Sequence, residues 1–216
     1  KVWPAGGPPL GGKAQGLGGG YSTPAVAAGR ISGMRYRGDD EIVWALDAKT
    51  GKIIWSVPIG IADRKIGSPG QGPEGSRGTP TVDGELLYTL GAGGTFVCLE
   101  TATGKERWKK SLRQDFGGQK PNWGFSESPL VDGDLVVFSP GGPDGTIVAL
   151  NKKTGATVWR TKEITDTPHY SSIISVKIDG VEQYIQLTVQ SVVGVAPQDG
   201  HLLWRAARRG STAVIP

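Results

Sequence analysis

The sequence predicts an all-β fold. Glycine and proline number 35 and 15 among 216 residues, about twice the ~12% of average usage, so turns are frequent. Seven Trp and a hydrophobic fraction of 37% supply a packed core and exclude a disordered chain. No segment holds a sustained 3.6-residue apolar period, so no helix is expected. The length suits one domain of ordinary size, or part of a larger one.

A repeat orders the chain. Ala45–Trp55, Cys98–Trp108, Ala149–Trp159 and Gly194–Trp204 align without gaps on Gly51, Gly104, Gly155 and Gly200, and their terminal Trp residues recur at steps of 53, 51 and 45 residues. Upstream lie Ser22-Thr-Pro-Ala-Val26, Gly78-Thr-Pro-Thr-Val82, Glu127-Ser-Pro-Leu-Val131 and a degenerate Ser171-Ser-Ile-Ile-Ser175. Between the two landmarks fall Asp83-Gly84, Asp132-Gly133 and Asp179-Gly180, each followed by an apolar run such as Leu135-Val-Val-Phe138.

Each unit reads as four short strands, A to D. The Thr/Ser-Pro segment opens strand A, where a proline is tolerated at the first residue. Asp-Gly reads as the centre of a type I′ hairpin, and the apolar run after it is strand B. A Gly-rich connection leads to strand C at Phe96–Leu99 or Ile147–Leu150. The Asp-x-x-Thr-Gly stretch, its glycine at positive φ, turns into strand D and ends at the Trp. Four strands per unit of 40–50 residues is the pattern of a β-propeller of four-stranded antiparallel blades, with about four blades present: approximately 22–57, 78–110, 127–161 and 171–206. One blade cannot cover its own sheet faces. The Trp, at a fixed offset from the turn glycine, is expected to lie against the next blade where a glycine leaves room, its indole N–H on an acceptor there.

Four blades make half of an eight-bladed circle. Leu10–Ala14 resembles a closing strand D, with Gly12 where a Trp is expected, and Gly210–Pro216 resembles the entry to a further blade. The expectation is an incomplete propeller domain over 1–216, part of a seven- or eight-bladed ring or closed by association. A four-bladed closed ring is the alternative. Open blade faces imply self-association.

Composition narrows the function classes. The net charge of +4 is mild, and Arg205-x-x-Arg208-Arg209 has no interleaved aromatics, so no nucleic acid partner is expected. No apolar run reaches the ~20 residues of a membrane span, and no signal-peptide pattern opens the chain. Cys98 is the single cysteine and His169 and His201 are the two histidines, so neither a disulfide, a metal cluster nor a Ser/His/Asp triad is expected. Asp39-Asp40-Glu41 and Asp144 read as solvated turn acids rather than a Ca²⁺ loop, for no ligand-spaced loop is present. Gly18-Gly-Gly20 and Gly91–Gly94 are not phosphate loops, because neither leads into a helix.

The long, uneven D–A connections, Pro58–Arg77 and Ser111–Ser126, contrast with short C–D turns on the opposite face. Variable loops on a rigid scaffold are where binding resides. The candidate ligand face is therefore Arg64, Arg77, Lys120, Asn122, Trp123, Glu127, His169 and Tyr170. The plainer reading gives Glu127 and Ser126 to inter-blade hydrogen bonds and Trp123 to loop packing.

The run Ala45-Leu-Asp-Ala-Lys-Thr-Gly51-Lys-Ile-Ile-Trp55 resembles the tryptophan-docking motif of quinoprotein-type propellers, the family with pyrroloquinoline-quinone (PQQ)-like repeats. Later copies relax it, with Cys98 and Glu100 for Ala and Asp, and Asn151 for Asp. The family holds two classes. Its dehydrogenases sandwich PQQ in the channel, commonly against a vicinal Cys-Cys disulfide and a Trp, with Ca²⁺ on Glu and Asn and an Asp as base. Its BamB-type members use the same blades for protein contacts. With one cysteine inside a strand, the resemblance implies a non-catalytic binding or scaffold module with a protein partner or small polar ligand and no expected cofactor, in the periplasm or otherwise outside the cytoplasm. The alternative is a PQQ- and Ca²⁺-dependent alcohol or sugar oxidoreductase with Glu127 or Asp144 as base.

Overall fold

The computed structural model describes residues 4–8, 10, 12–63, 75–208 and 210. They form sixteen strands: β1 (Ala25–Ala27), β2 (Arg30–Arg37), β3 (Asp40–Asp47), β4 (Ile53–Ile61), β5 (Thr81–Asp83), β6 (Leu86–Leu90), β7 (Thr95–Glu100), β8 (Glu106–Ser111), β9 (Leu130–Asp132), β10 (Leu135–Phe138), β11 (Val148–Asn151), β12 (Thr157–Arg160), β13 (Ile174–Ile178), β14 (Val181–Leu187), β15 (Ser191–Val195) and β16 (Leu202–Ala207). Each successive group of four is one antiparallel sheet in sequence order, and no helix occurs among the described residues. The all-β expectation of four-stranded antiparallel blades holds. Contacts of β1 with β5, β5 with β9 and β9 with β13 put the first strands of neighbouring blades side by side.

The third strand of each blade is buried on both faces, and its alternate residues serve two neighbours. Val43 and Ala45 pack with Leu87, Val97 and Leu99 between blades one and two. Phe96 and Cys98 turn the other way, toward Phe138, Val148 and Leu150 of blade three. Val137, Ile147 and Ala149 meet Tyr184, Val193 and Val195 of blade four. On the far side of blade one, Ile42, Trp44 and Leu46 are covered by Ala14, Leu17 and Ile31. Trp44 lies across Gly33 on the paired strand, where a side chain would collide with its ring.

One geometry recurs at three joints. Trp55 Nε1 donates to the Thr101 carbonyl at 3.0 Å, Trp108 Nε1 to the Lys152 carbonyl at 3.0 Å, and Trp159 Nε1 to the Pro197 carbonyl at 2.9 Å. Each ring rests on the turn glycine three residues beyond its acceptor, namely Gly104, Gly155 and Gly200, at φ of 73°, 70° and 73°. A Cβ at Gly104 would stand 2.7 Å from the Trp55 ring, and one at Gly155 would stand 2.9 Å from Trp108. Trp204 differs, because it folds back over Gly194 of its own sheet and donates to Gln183 Oε1. Around the inner strands, Ser22 Oγ donates to the Gly78 carbonyl at 2.7 Å. Ser128 Oγ accepts from Thr79 N–H at 3.0 Å, and Ser172 Oγ accepts from Ser128 N–H at 2.9 Å. The Ser/Thr-Pro landmark thus stitches one blade to the next.

The hairpin expectation needs correction at two places. Asp179 and Gly180 both have positive φ (49° and 84°), as a type I′ turn requires, and so do Ala28 and Gly29 (47° and 73°). In blades two and three the pairs Asp83↔Leu86 and Asp132↔Leu135 make the loops Gly84-Glu85 and Gly133-Asp134. Positive φ there falls on the first central residue alone (57° and 54°), the pattern of a type II′ turn. The reason is inter-blade. Asp83 pairs with Lys152 Nζ at 2.6 Å and Asp132 accepts the Tyr184 hydroxyl at 3.0 Å, so each aspartate stays in its strand.

Candidate functional site

The D–A and B–C connections share the face where the long loops gather. Three buried carboxylates hold it together. Glu41 Oε1 accepts from Ser76 Oγ at 2.6 Å and from Ala92 N–H at 3.0 Å, tying blade one to the loops of blade two. Burial, and secondarily the Asp63 charge, raise its carboxyl above the ordinary range. Glu127 accepts from Ser139 N–H at 2.6 Å on one oxygen and from Ser139 Oγ at 3.0 Å on the other. Buried, its carboxyl has its pKa pushed up to about 7 by desolvation. Asp166 accepts from Thr188 Oγ1 at 2.8 Å, from Ser191 Oγ, and from Arg205 Nη2 at 2.6 Å.

Two of these acids correct the sequence reading. Glu41 is no solvated turn acid, since it lies in β3 at 1% exposure. Its partners come from segments 35 and 51 residues away, which no local pattern reveals. Asp166 carried no motif at all. Arg205 belongs to β16, paired with Asp166, rather than to an exposed basic loop. Arg209 lies outside the described residues.

The other predicted site residues divide. Arg64 lies outside the described residues. Arg77 stacks its guanidinium 5.1 Å from the ring centroid of exposed Tyr21. Lys120 pairs with Asp63 at 2.5 Å, bridging the D–A connections of blades one and two. Asn122 is exposed and Trp123 half-buried. Trp123 N–H donates to the Tyr170 hydroxyl at 3.3 Å, and the two rings stand 6.0 Å apart at 60°. His169 adjoins Tyr170 at 5.0 Å between centroids. Its Nδ1 is buried without a partner, and desolvation lowers its pKa. The structure thus brings Trp123, Tyr170 and His169 into one aromatic patch. Glu127 is an internal group bonded to Ser139 of its own blade, and Ser126 Oγ donates to Gly124 O within its own loop, so these side-chain bonds are not the inter-blade ones expected.

Arg160, at the end of β12, also serves this face. Its guanidinium donates to the Phe116 carbonyl at 2.7 Å, to Gly141 at 3.1 Å and to Gly145 at 2.9 Å, so one strand residue fixes two loops from different blades. Nothing in its immediate sequence marks that role. Among the described residues no three His, Cys, Asp or Glu side chains are grouped to hold a metal ion.

Residues 39–214 match the family described as Outer membrane protein assembly factor BamB. The chain belongs to that family. This BamB-family chain is 30% identical over 172 residues to the outer membrane protein assembly factor BamB of Burkholderia pseudomallei, a match covering 68% of this chain and 43% of that protein. It is also 30% identical over 152 residues to a quinohemoprotein alcohol dehydrogenase of Comamonas testosteroni, covering 68% of this chain and 20% of that enzyme. The crystal structure of BamB from Moraxella catarrhalis superimposes with a TM-score of 0.62 at 15% identity, over 87% of this chain and 52% of that one, a likeness of fold. The BamB-family chain therefore spans less than half the length of the curated relatives it matches.

Proposed function

We propose that this chain is a non-catalytic binding or scaffold module that contacts a protein partner, or a small polar ligand, through its long-loop face. The supporting observation is the state of three acids on that face. Glu41, Glu127 and Asp166 are buried, and their oxygens accept hydrogen bonds that hold loops in place. Beside them an aromatic and polar patch is left open, formed by Trp123, Tyr170, His169 and Asn122, with exposed acids such as Asp40 and Asp144 elsewhere on the face. A half-exposed aromatic beside an amide is the composition of a contact surface. The recurrent Trp–Gly joint fits the docking element of the PQQ-like repeat, which gives such loops a rigid base. The BamB likeness also favours a place outside the cytoplasm.

The second reading, a PQQ-dependent oxidoreductase, is favoured by the dehydrogenase relative. The residues described do not fit the cofactor. Cys98 is the single cysteine and is buried in β7 with its thiol pushed up to about 12 by desolvation, so the vicinal disulfide has no counterpart. Glu127 has both oxygens engaged by Ser139, and Asp144 is exposed beside Arg160. Titration with PQQ and Ca²⁺, followed by quinone absorbance, tests the choice. The expected result is no saturable uptake. Saturable uptake with dye-linked alcohol oxidation, lost in Glu127→Gln, would overturn it.

A further inference from the structure

A cleft of about 290 Å³ opens on the long-loop face between three connections: Gln119 from blade two, Gly142 and Pro143 from the B–C loop of blade three, and Thr165, Thr167 and Pro168 from its D–A connection. It lies at the lower edge of the ~300–1,000 Å³ of small-ligand sites. The walls are held by backbone contact. A Cβ at Gly142 would stand 2.6 Å from the Gly117 carbonyl, one at Gly118 would stand 2.7 Å from the Pro140 carbonyl, and one at Gly141 would stand 2.5 Å from Pro168. Arg160 bonds carbonyls on both sides, at Phe116 and Gly141, Thr146 Oγ1 donates to the Asp166 carbonyl at 2.8 Å, and Gln190 Oε1 accepts from Thr167 N–H at 3.0 Å. A cleft fixed this way loses little freedom when a ligand enters.

Its chemistry selects the occupant. Among the described residues, no ionisable side chain lines it. Of the charged groups near it, Arg160 is held by carbonyls and Asp166 by Arg205, while Asp144, next to Pro143, is exposed. An acidic ligand would lose its hydration and meet Asp144 without gaining a counter-ion. The lining offers two hydroxyls and one amide, which both donate and accept, between two saturated proline rings. Among the described lining residues no aromatic face is present for a sugar ring to lie on. Saturated walls with amide-matching groups suit a peptide backbone carrying one aliphatic side chain.

We propose that this cleft takes a short, neutral segment of a partner protein, its backbone amides paired with Gln119, Thr165 and Thr167 and an aliphatic side chain seated between Pro143 and Pro168. This rests on the binding-module reading and names the partner's contact chemistry.

The test is amide-resolved NMR of the ¹⁵N-labelled 216-residue chain titrated with acetyl-Ala-Val-Ala-amide, acetyl-Glu-Val-Glu-amide and methyl glucoside. The expected result is saturable shifts centred on Gly142, Thr165 and Thr167 with the neutral peptide alone. Gln119→Ala with Thr165→Ala, at two exposed positions, should weaken that binding about fivefold or more, as for two lost hydrogen bonds, with the rest of the spectrum unchanged. Absence of saturable shifts at these residues, equal binding of the acidic peptide, or occupation by the glucoside instead would each overturn the proposal. Those outcomes leave contacts through Trp123 untouched, so a failure here is distinguishable from a failure of the module reading.

Discussion

The indole Nε1 of Trp108 donates to the carbonyl of Lys152 at 3.0 Å, and the ring covers Gly155 three residues further on. The same carbonyl accepts the Tyr88 hydroxyl at 3.1 Å, and the Lys152 ammonium reaches Asp83 at 2.6 Å. One residue of blade three thus gathers three side chains of blade two.

Trp108→Ala removes a ring only 8% exposed, 5.2 Å from Phe96 and 6.0 Å from Tyr88. The expected loss is about 3–5 kcal/mol, read as a lowered denaturant midpoint in chemical unfolding. An unchanged midpoint would remove the joint from this account.

Gly155→Ala and Gly51→Ala form a matched pair. Both glycines have positive φ, 70° and 68°, so an alanine costs about 1–2 kcal/mol of backbone strain at either. Only Gly155 lies under an indole, whereas nothing lies within 4 Å of a Cβ at Gly51. Calorimetric melting should therefore show Gly155→Ala clearly less stable than Gly51→Ala. Equal melting temperatures would show that the glycine serves its turn and not the Trp.

Much of this architecture is legible in the sequence, because the Trp, the turn glycine and the Thr/Ser-Pro segment each repeat at the spacing of one blade. The Asp-x-x-Thr-Gly pattern is also local: Asp47 Oδ1 accepts from both Thr50 N–H and Thr50 Oγ1 at 2.7 Å. The misses share another cause. Glu41, Asp166 and Arg160 find partners on other blades or loops, and Asp83 and Asp132 are held in their strands by residues 69 and 52 positions away. Long-range partners leave no periodic trace. On the candidate face, the aromatic character of Trp123 and Tyr170 was visible, while the burial of Glu127 by Ser139 was not.

Glu127 predicts a pH dependence. Folded, it keeps its proton up to about pH 7. Unfolded, it releases it near the ordinary glutamate value of ~4.3. The folded state binds the extra proton between these values, so this group's contribution to stability is full below about pH 4, falls as pH rises toward 7, and is flat above, on the order of 3 kcal/mol in all. Glu127→Gln keeps an acceptor for Ser139 N–H and a donor for Ser139 Oγ. Stability curves of parent and variant should diverge as pH rises from 4 to 7, with the variant the more stable at pH 8. Parallel curves would contradict the assignment.

Cys98, buried at 0% exposure in β7 with a thiol pushed up to about 12, should resist thiol reagents in the native protein and react only at the rate of unfolding. Mass spectrometry after timed labelling reads this directly. Fast native labelling would show that the joint between blades two and three opens on its own.

Site-specific photo-crosslinking in cells tests most directly whether the long-loop face is the working surface. A photoreactive residue in place of Trp123 or Asn122 should capture a defined protein partner, while the same residue in place of Lys153, exposed on the C–D turn of the opposite face, should capture none. Capture from Lys153 alone, with none from the loop positions, would contradict the account.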